Sequence, residues 1–128
     1  MSKLVVLDSS AILAVIRKEK GHEVVISRLG SAMVSTVNLC EVLYKSTAKE
    51  ADFEMTRWIL GQMPVRSIEF DMEQAAIAAK IDSVTEGRSV SLADKACLAL
   101  GIAKNVPVLT SDKVWADLGV EAEVELFR

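Results

Sequence analysis

Residues that break or loosen a chain are scarce in this sequence. Proline occurs twice and glycine six times among 128 residues. This scarcity excludes long flexible linkers, intrinsic disorder and a low-complexity tail. Hydrophobic residues make up 51% of the chain, which is enough to form one buried core. We therefore expect a single globular domain over residues 1–128.

Long apolar runs and cysteine clusters are also missing. The longest uninterrupted apolar run, ACLALGIA, covers residues 96–103, whereas a membrane-spanning helix needs about 20 residues. Asp8 interrupts the first apolar stretch, so no signal peptide is predicted and we expect a cytoplasmic protein. Cys40 and Cys97 lie among apolar residues in helical patterns. This placement predicts two buried thiols in a reducing compartment and no zinc site.

The chain has no excess of positive charge and lacks several common catalytic motifs. Its formal net charge is −3, so a nucleic acid would have to be held by local basic residues and a bound cation. A short run of Arg17, Lys18 and Lys20 could contact phosphates or simply face solvent. His22 is the only histidine, and its position disfavours a Ser-His catalytic triad. No glycine-rich phosphate-binding motif occurs, so no nucleotide cradle is predicted.

Short aliphatic segments alternate with helical patterns along the whole chain. Strands are predicted over residues 3–7, 32–35, 65–70, 106–110 and 123–127. Helices are predicted over residues 11–18, 22–29, 37–49, 53–63, 72–86, 90–104 and 113–118. The segment 65–70 alternates apolar and polar residues, which is typical of an edge strand, and Asp71 with Gln74 predicts a capping box after it. The alternation predicts an α/β fold, a three-layer sandwich around a mostly parallel five-stranded sheet.

Four acidic residues are expected at one edge of this sheet. Asp8 ends the first strand, Asp112 follows the fourth strand, and Asp94 lies in the first turn of the helix before the fourth strand. Glu41 is six residues beyond Ser35, roughly 9 Å along its helix, but helical side chains lean toward the N-terminus of the helix. In open α/β sheets, ligands bind beyond the carboxyl ends of the strands. The four carboxylates are therefore predicted to line one site.

Four carboxylates in an apolar cleft favour a bound cation, because they cannot all stay ionised without compensation. An oxygen-only ligand set suits Mg²⁺ or Mn²⁺ and does not favour zinc or copper. Such a site supports phosphoryl chemistry, in which the metal activates water and stabilises the leaving oxygen.

Three of the acids also have a purely structural interpretation. Asp8 could cap the following helix, Asp94 could complete a capping box with Ser91, and Asp112 could be a turn residue. Glu41 lies in the middle of an apolar helical stretch, where it caps nothing and where an unpaired charge is unfavourable. The hypothesis of a metal site depends on the four residues taken together.

The sequence resembles the PIN domain family, and within it the small VapC-type toxins of toxin–antitoxin pairs. The segments VVLDSSAIL, STVNLCEVLYK, SLADKACLALG and VLTSDKVW resemble four PIN motifs in the same order and spacing. The resemblance covers nearly the whole chain and implies a strand order of 3-2-1-4-5. It implies an Mg²⁺- or Mn²⁺-dependent ribonuclease whose catalytic and metal-binding residues are Asp8, Glu41, Asp94 and Asp112.

The same resemblance implies supporting residues and partners. Ser10 and Thr110 match the hydroxyl positions that support the acidic quartet. VapC-type toxins are usually homodimers, and a VapB-type antitoxin inhibits them by filling the active-site groove with its C-terminal segment. We therefore expect an RNA substrate, a VapB-type antitoxin and a homodimer.

Three other functions remain open at this stage. A response-regulator receiver domain would have a similar length and could use Asp71 as the phosphoacceptor. It would also need an acidic pair after the first strand, where this chain has Asp8 followed by two serines. A free-standing PIN nuclease, or a binding module without a toxin role, would share the four motifs.

Overall fold

The computed structural model describes residues 3–48, 53–86 and 88–128. Five strands in these ranges are β1 Val5–Leu7, β2 Ala32–Ser35, β3 Arg66–Ile68, β4 Val108–Thr110 and β5 Val124–Leu126. The α-helices are α1 Ser9–Arg17, α2 His22–Arg28, α3 Thr36–Ala48, α4 Phe53–Gln62, α5 Met72–Val84 and α6 Leu92–Lys104. Short 3₁₀ turns cover Leu29–Ser31 and Lys113–Asp117. Lys49, the predicted last residue of the third helix, lies outside the described residues.

The strands form one sheet in the order β3-β2-β1-β4-β5, and all four neighbouring pairs are parallel. Both the predicted order and the predicted α/β sandwich are confirmed. From β1 the order runs outward to β2 and β3 at one edge, and from β4 it runs outward to β5 at the other edge. The strand order therefore reverses between β1 and β4. A crevice at the carboxyl ends of β1 and β4 is therefore the expected ligand site.

Alternating side chains of the buried central strand β1 divide the core into two layers. Val5 and Leu7 pack with α1, α2 and α3 on one face, while Val6 packs with α5 and α6 on the other. All three residues of β1 are fully buried, as is typical of a parallel strand covered on both faces. At the sheet edge, Arg66 and Ser67 of β3 are exposed, in agreement with the predicted edge strand.

Helix α6 lies very close to strand β4, and a glycine makes this approach possible. A Cβ atom added at Gly101 would lie 2.6 Å from Cγ1 of Val108 and 2.9 Å from the carbonyl oxygen of Val106. After α6, Asn105 adopts a left-handed conformation with φ of 56° and donates its N–H to carbonyls of the last turn. This tight connection determines where Asp94, in the first turn of α6, lies relative to β4.

Two local predictions were wrong. Asp71 accepts a hydrogen bond from the Gln74 N–H at 2.9 Å, but the Gln74 side chain donates to the Glu69 carbonyl instead of returning to Asp71. The predicted capping box is thus a simple N-cap, because Gln74 is buried and turns toward the preceding loop. Cys40 is exposed and only Cys97 is buried, since Cys40 lies on the outer face of α3.

Within the described ranges, no helix is long and apolar enough to span a membrane.

Candidate active site

The four predicted carboxylates line one cavity at the carboxyl ends of β1 and β4. The cavity measures about 430 Å³. Its lining comes from α1 and the residues flanking it, α3, α6, the loop after β4, and Arg128: Asp8, Ser9, Ser10, Leu13, Arg17, Glu19, Glu41, Lys45, Asp94, Ser111, Asp112 and Arg128. Residues that are distant in sequence are therefore brought together at the switch in strand order.

Asp8 is fixed by hydroxyl groups from two segments. Its Oδ2 accepts hydrogen bonds from Ser10 Oγ at 2.7 Å and from Thr110 Oγ1 at 2.8 Å. The same hydroxyl oxygens accept the N–H groups of Ser111 and Asp112, at 3.2 and 3.1 Å. Asp8 occupies the N-cap position of α1, yet its side chain makes no capping hydrogen bond. Its carboxylate is thus joined to β4 and to the loop beyond it, and the interpretation of Asp8 as a helix cap is wrong.

Asp94 serves as a cap and also lines the cavity. Its N–H donates to Ser91 Oγ at 3.1 Å, and its Oδ2 accepts the Ser91 N–H at 3.0 Å. This reciprocal pair is the capping box that the sequence S-L-A-D suggested. The structural and the site interpretations of Asp94 are compatible, because one carboxylate oxygen in the box leaves the other available to a ligand.

Glu41 and Asp112 complete the acidic set from α3 and from the loop after β4. Glu41 is 8% exposed, and its Oε2 lies 3.3 Å from Nζ of Lys45, one turn further along α3. Asp112 precedes the 3₁₀ turn Lys113–Asp117, and its Oδ1 accepts the Val114 N–H at 3.0 Å. Each carboxylate is thus oriented by a partner that is close to it in sequence.

The electrostatics of the cavity oppose full ionisation of the acids. Burial raises the pKa of Asp8, and the negative charge of Asp94 raises it further. Burial likewise raises the pKa of Asp94, with added repulsion from Glu41 and Asp112. Burial also raises the pKa of the Cys97 thiol, so Cys97 is a core residue without nucleophilic character. Repulsion among the carboxylates therefore favours a cation in this cavity.

The donor chemistry and charge of the cavity fit a hard divalent cation. Carboxylates and hydroxyls are the ligands that Mg²⁺ and Mn²⁺ prefer. The lining holds five carboxylates and three cationic side chains, an excess of two formal negative charges that one divalent cation would balance. As placed, no three Asp, Glu, His or Cys side chains among the described residues surround a common point as metal ligands would. The carboxylates are instead held by the partners given above.

One residue that the sequence analysis did not select, Asn38, connects the elements of the site. Asn38 on α3 is fully buried, and its Nδ2 donates to Ser9 Oγ at 3.0 Å and to the Ala93 carbonyl at 3.2 Å. It therefore joins α1, α3 and α6, which border the cavity. Asn38 lies one helical turn before Glu41 in an apolar stretch, so a buried polar residue could have been suspected there.

One known family and several solved structures resemble this chain over nearly its whole length. The PIN domain model matches residues 5–121, and no curated protein matches. Solved structures with the same fold include a toxin–antitoxin complex from Klebsiella pneumoniae (13% identity, 97% of this chain and 98% of that chain covered, TM-score 0.77). DNA-bound VapBC from Salmonella typhimurium matches at 16% identity, with 98% and 99% covered and a TM-score of 0.78. VapBC-5 from Mycobacterium tuberculosis matches at 24% identity, with 98% of each chain covered and a TM-score of 0.67.

These findings decide between the two families considered from the sequence. Receiver domains have the order 2-1-3-4-5, with the third strand inside the sheet, whereas β3 lies at the edge here. Asp71, the residue that would accept the phosphoryl group, is exposed and does not line the cavity. The receiver alternative is therefore wrong. With the family model covering residues 5–121 and the strand order in agreement, the chain belongs to the PIN domain family.

Proposed function

We propose that this protein is a metal-dependent endoribonuclease, folded as one PIN-like domain over residues 1–128. PIN domain proteins are nucleases, and they generally depend on divalent metals. The observation that carries the proposal is the convergence of Asp8, Glu41, Asp94 and Asp112 on one cavity at the β1/β4 switch.

The four carboxylates would hold Mg²⁺ or Mn²⁺. When bound, the metal would lower the pKa of a water molecule and neutralise charge on the phosphodiester. The chain supplies position: Ser10 and Thr110 keep Asp8 Oδ2 in place, and the capping box keeps Asp94 at the mouth of α6. These hydrogen bonds restrict the orientations of the two carboxylates, which would lower the cost of ordering them around a metal ion.

The experiment is an RNA cleavage assay with matched variants. We expect a single-stranded RNA labelled at both ends to be cut internally in Mg²⁺ or Mn²⁺, and cleavage to stop in EDTA. Asp8→Asn, Glu41→Gln, Asp94→Asn and Asp112→Asn should each remove activity. Asp71→Asn makes the same charge change outside the cavity and should cleave like wild type. Activity that survives exhaustive chelation would contradict the proposed metal mechanism.

We further propose that the protein is a VapC-like toxin that acts in the cytoplasm, forms a homodimer and is inhibited by a VapB-type antitoxin. Structural neighbours are toxin–antitoxin complexes, and the surface offers apolar area for a partner. A second cavity of about 370 Å³ is lined mostly by apolar residues of α1, α3, α4 and the adjacent strands, including Ile12, Leu39 and Leu60. On α4, Trp58 is 62% exposed.

The partner and the dimer are tested separately from catalysis. Co-expression with the product of the adjacent reading frame should give a complex that elutes as one species and suppresses RNA cleavage. Light scattering on the isolated protein should give twice the mass of the chain. A monomer at high concentration would contradict the dimer. A neighbouring gene product that neither binds nor inhibits would leave the nuclease without a toxin role.

A further inference from the structure

Three cationic side chains lie on the rim of the carboxylate cavity. Arg17 ends α1, Lys45 lies in the last turn of α3, and Arg128 follows β5. Lys45 is engaged with Glu41 in the acidic set. Arg17 and Arg128 are both paired with a different carboxylate, that of Glu19.

Glu19 holds the two guanidinium groups side by side. Its Oε1 accepts hydrogen bonds from Nη1 and Nη2 of Arg128, each at 3.3 Å, and its Oε2 lies 3.9 Å from Nη1 of Arg17. Nη1 of Arg128 also donates to the Lys20 carbonyl at 3.0 Å, and its guanidinium lies 5.2 Å from the centre of the Phe127 ring. Arg17 in turn contacts the Lys45 carbonyl at 3.5 Å. Both arginines are thus oriented while remaining about one quarter exposed.

The backbone of the α1–α2 connection is shaped for this arrangement. Lys18 and Gly21 adopt left-handed conformations, with φ of 54° and 88°. A Cβ atom at Gly21 would lie 2.6 Å from the Phe127 carbonyl oxygen and 3.2 Å from Cβ of Arg128. The connection therefore packs directly against residues 127 and 128, which places Glu19 beside Arg128.

An RNA strand needs cations near this cavity in addition to a metal ion. With one divalent cation bound, two formal negative charges would still remain on the acidic floor of the cavity, which consists of Asp8, Glu41, Asp94 and Asp112. Each flanking phosphate carries a further negative charge. Arginine presents five N–H donors in a planar fork, and Glu19 engages only some of them. The distances of 3.3 to 3.9 Å to Glu19 are long for charge-assisted pairs, which suits cations that must also bind phosphate.

We propose that Arg17 and Arg128, positioned by Glu19, form a phosphate-binding subsite that holds the RNA backbone next to the carboxylate cavity. The subsite rests on the proposed ribonuclease function, because it assigns the substrate contacts of the same cavity. Glu19 is a positioning residue in this scheme. If Glu19 positions the two arginines, removing its side chain should weaken RNA binding. If Glu19 acted only as a repulsive charge, removing it would strengthen RNA binding, so the two roles are distinguishable.

The experiment measures binding and cleavage of the same single-stranded RNA. Binding is followed by fluorescence anisotropy in EDTA over a range of salt concentrations, and cleavage by kcat and KM in Mn²⁺. Arg128→Gln should raise both Kd and KM about fivefold, with kcat changed less than about twofold, as expected for one lost ion pair at a partly exposed site. The slope of log K against log salt should fall by about 0.7, the value for one phosphate of a single strand. Arg17→Gln should act in the same direction.

The control is Arg66→Gln, which removes the same charge at the start of β3, on the opposite edge of the sheet. It should change Kd less than about twofold. Glu19→Ala should weaken RNA binding although it removes a negative charge, whereas Glu19→Gln keeps an acceptor for the guanidiniums and should bind at least as tightly as wild type. Thermal stabilisation by Mn²⁺ should be unchanged in all five variants.

Two results with variant proteins would overturn the subsite. One is an Arg128→Gln protein that binds RNA like the Arg66→Gln control, and the other is a Glu19→Ala protein that binds RNA more tightly than wild type. A wild-type protein that does not bind RNA overturns it as well. A wild-type protein that binds RNA but does not cut it refutes the nuclease proposal alone, and the binding data still decide on the subsite.

Discussion

The substitution Asp94→Asn separates the two roles that the structure gives to one carboxylate. An asparagine at position 94 keeps an oxygen that can accept the Ser91 N–H, and its own N–H can still donate to Ser91 Oγ. The capping loss should therefore stay below about 1 kcal/mol. In return, a partly buried charge that is repelled by Glu41 and Asp112 is removed. We expect the metal-free variant to be as stable as wild type or more stable.

Asp94→Asn should change the stabilisation by metal far more than it changes the stability of the metal-free protein. A ligand at a hundredfold excess over its dissociation constant stabilises the folded state by about 2.7 kcal/mol. For a domain of this size, that corresponds to a rise in Tm of about 10 °C. Wild type should show this rise in Mn²⁺ relative to EDTA, and Asp94→Asn should lose most of it together with RNA cleavage.

Thermal melts by circular dichroism, with and without Mn²⁺, provide the measurement. Asp71→Asn is the matched control, because Asp71 also caps a helix by accepting an N–H at 2.9 Å but does not line the cavity. It should keep the full metal response. A destabilised Asp94→Asn protein that still responds to Mn²⁺ and cleaves RNA would refute a metal-binding role for Asp94.

Three further predictions concern pH, hydroxyl support and packing. Because burial raises the pKa of Asp94 in the folded state, its ionisation destabilises the metal-free protein at neutral pH, and this loss is relieved as the pH falls. The stability advantage of Asp94→Asn in EDTA should thus be largest at neutral pH and shrink as the pH falls toward the raised pKa. An advantage independent of pH would contradict this. Thr110→Val should cost about 1–3 kcal/mol in urea unfolding and weaken Mn²⁺ binding, and Thr110→Ser should restore both if the hydroxyl is responsible. Gly101→Ala should destabilise the protein by roughly 1–2 kcal/mol, because the added methyl group would press against β4. Gly61→Ala, whose methyl group would meet no atom within 4 Å, should stabilise the protein by up to about 1 kcal/mol. Equal effects of the two substitutions would refute the packing argument.

The order of the elements and their approximate bounds were accessible from the sequence because they depend on local signals. Hydrophobic runs, alternation at 65–70 and capping residues indicate where strands and helices begin and end. The prediction of one acidic site followed from a rule about parallel sheets, since Asp8 and Asp112 directly follow strands. Such rules use only the position of a residue relative to its own element.

Contacts between elements were not accessible in the same way. The direction of the Gln74 side chain depends on the loop before α5, and the exposure of Cys40 depends on which face of α3 meets the core. Likewise, the pairing of Glu19 with Arg128 joins residues that are 109 positions apart. No periodicity in the sequence indicates such a pair, because the contact exists only after the sheet has formed.

The hydroxyls of Ser10 and Thr110, which donate to Asp8, should also make one part of the site more resistant to local unfolding than the rest. Ser10 and Thr110 receive the N–H groups of Ser111 and Asp112 while they donate to the carboxylate, in a region bordered by the fully buried strand β1. The amide protons at positions 111 and 112 should therefore exchange with solvent more slowly than loop amides that lack a hydrogen-bond acceptor. The arginines at the rim, which are about one quarter exposed, lie at the end of α1 and after β5, where local opening should cost less. The acidic floor can thus keep its shape while the rim adapts to the proposed RNA substrate.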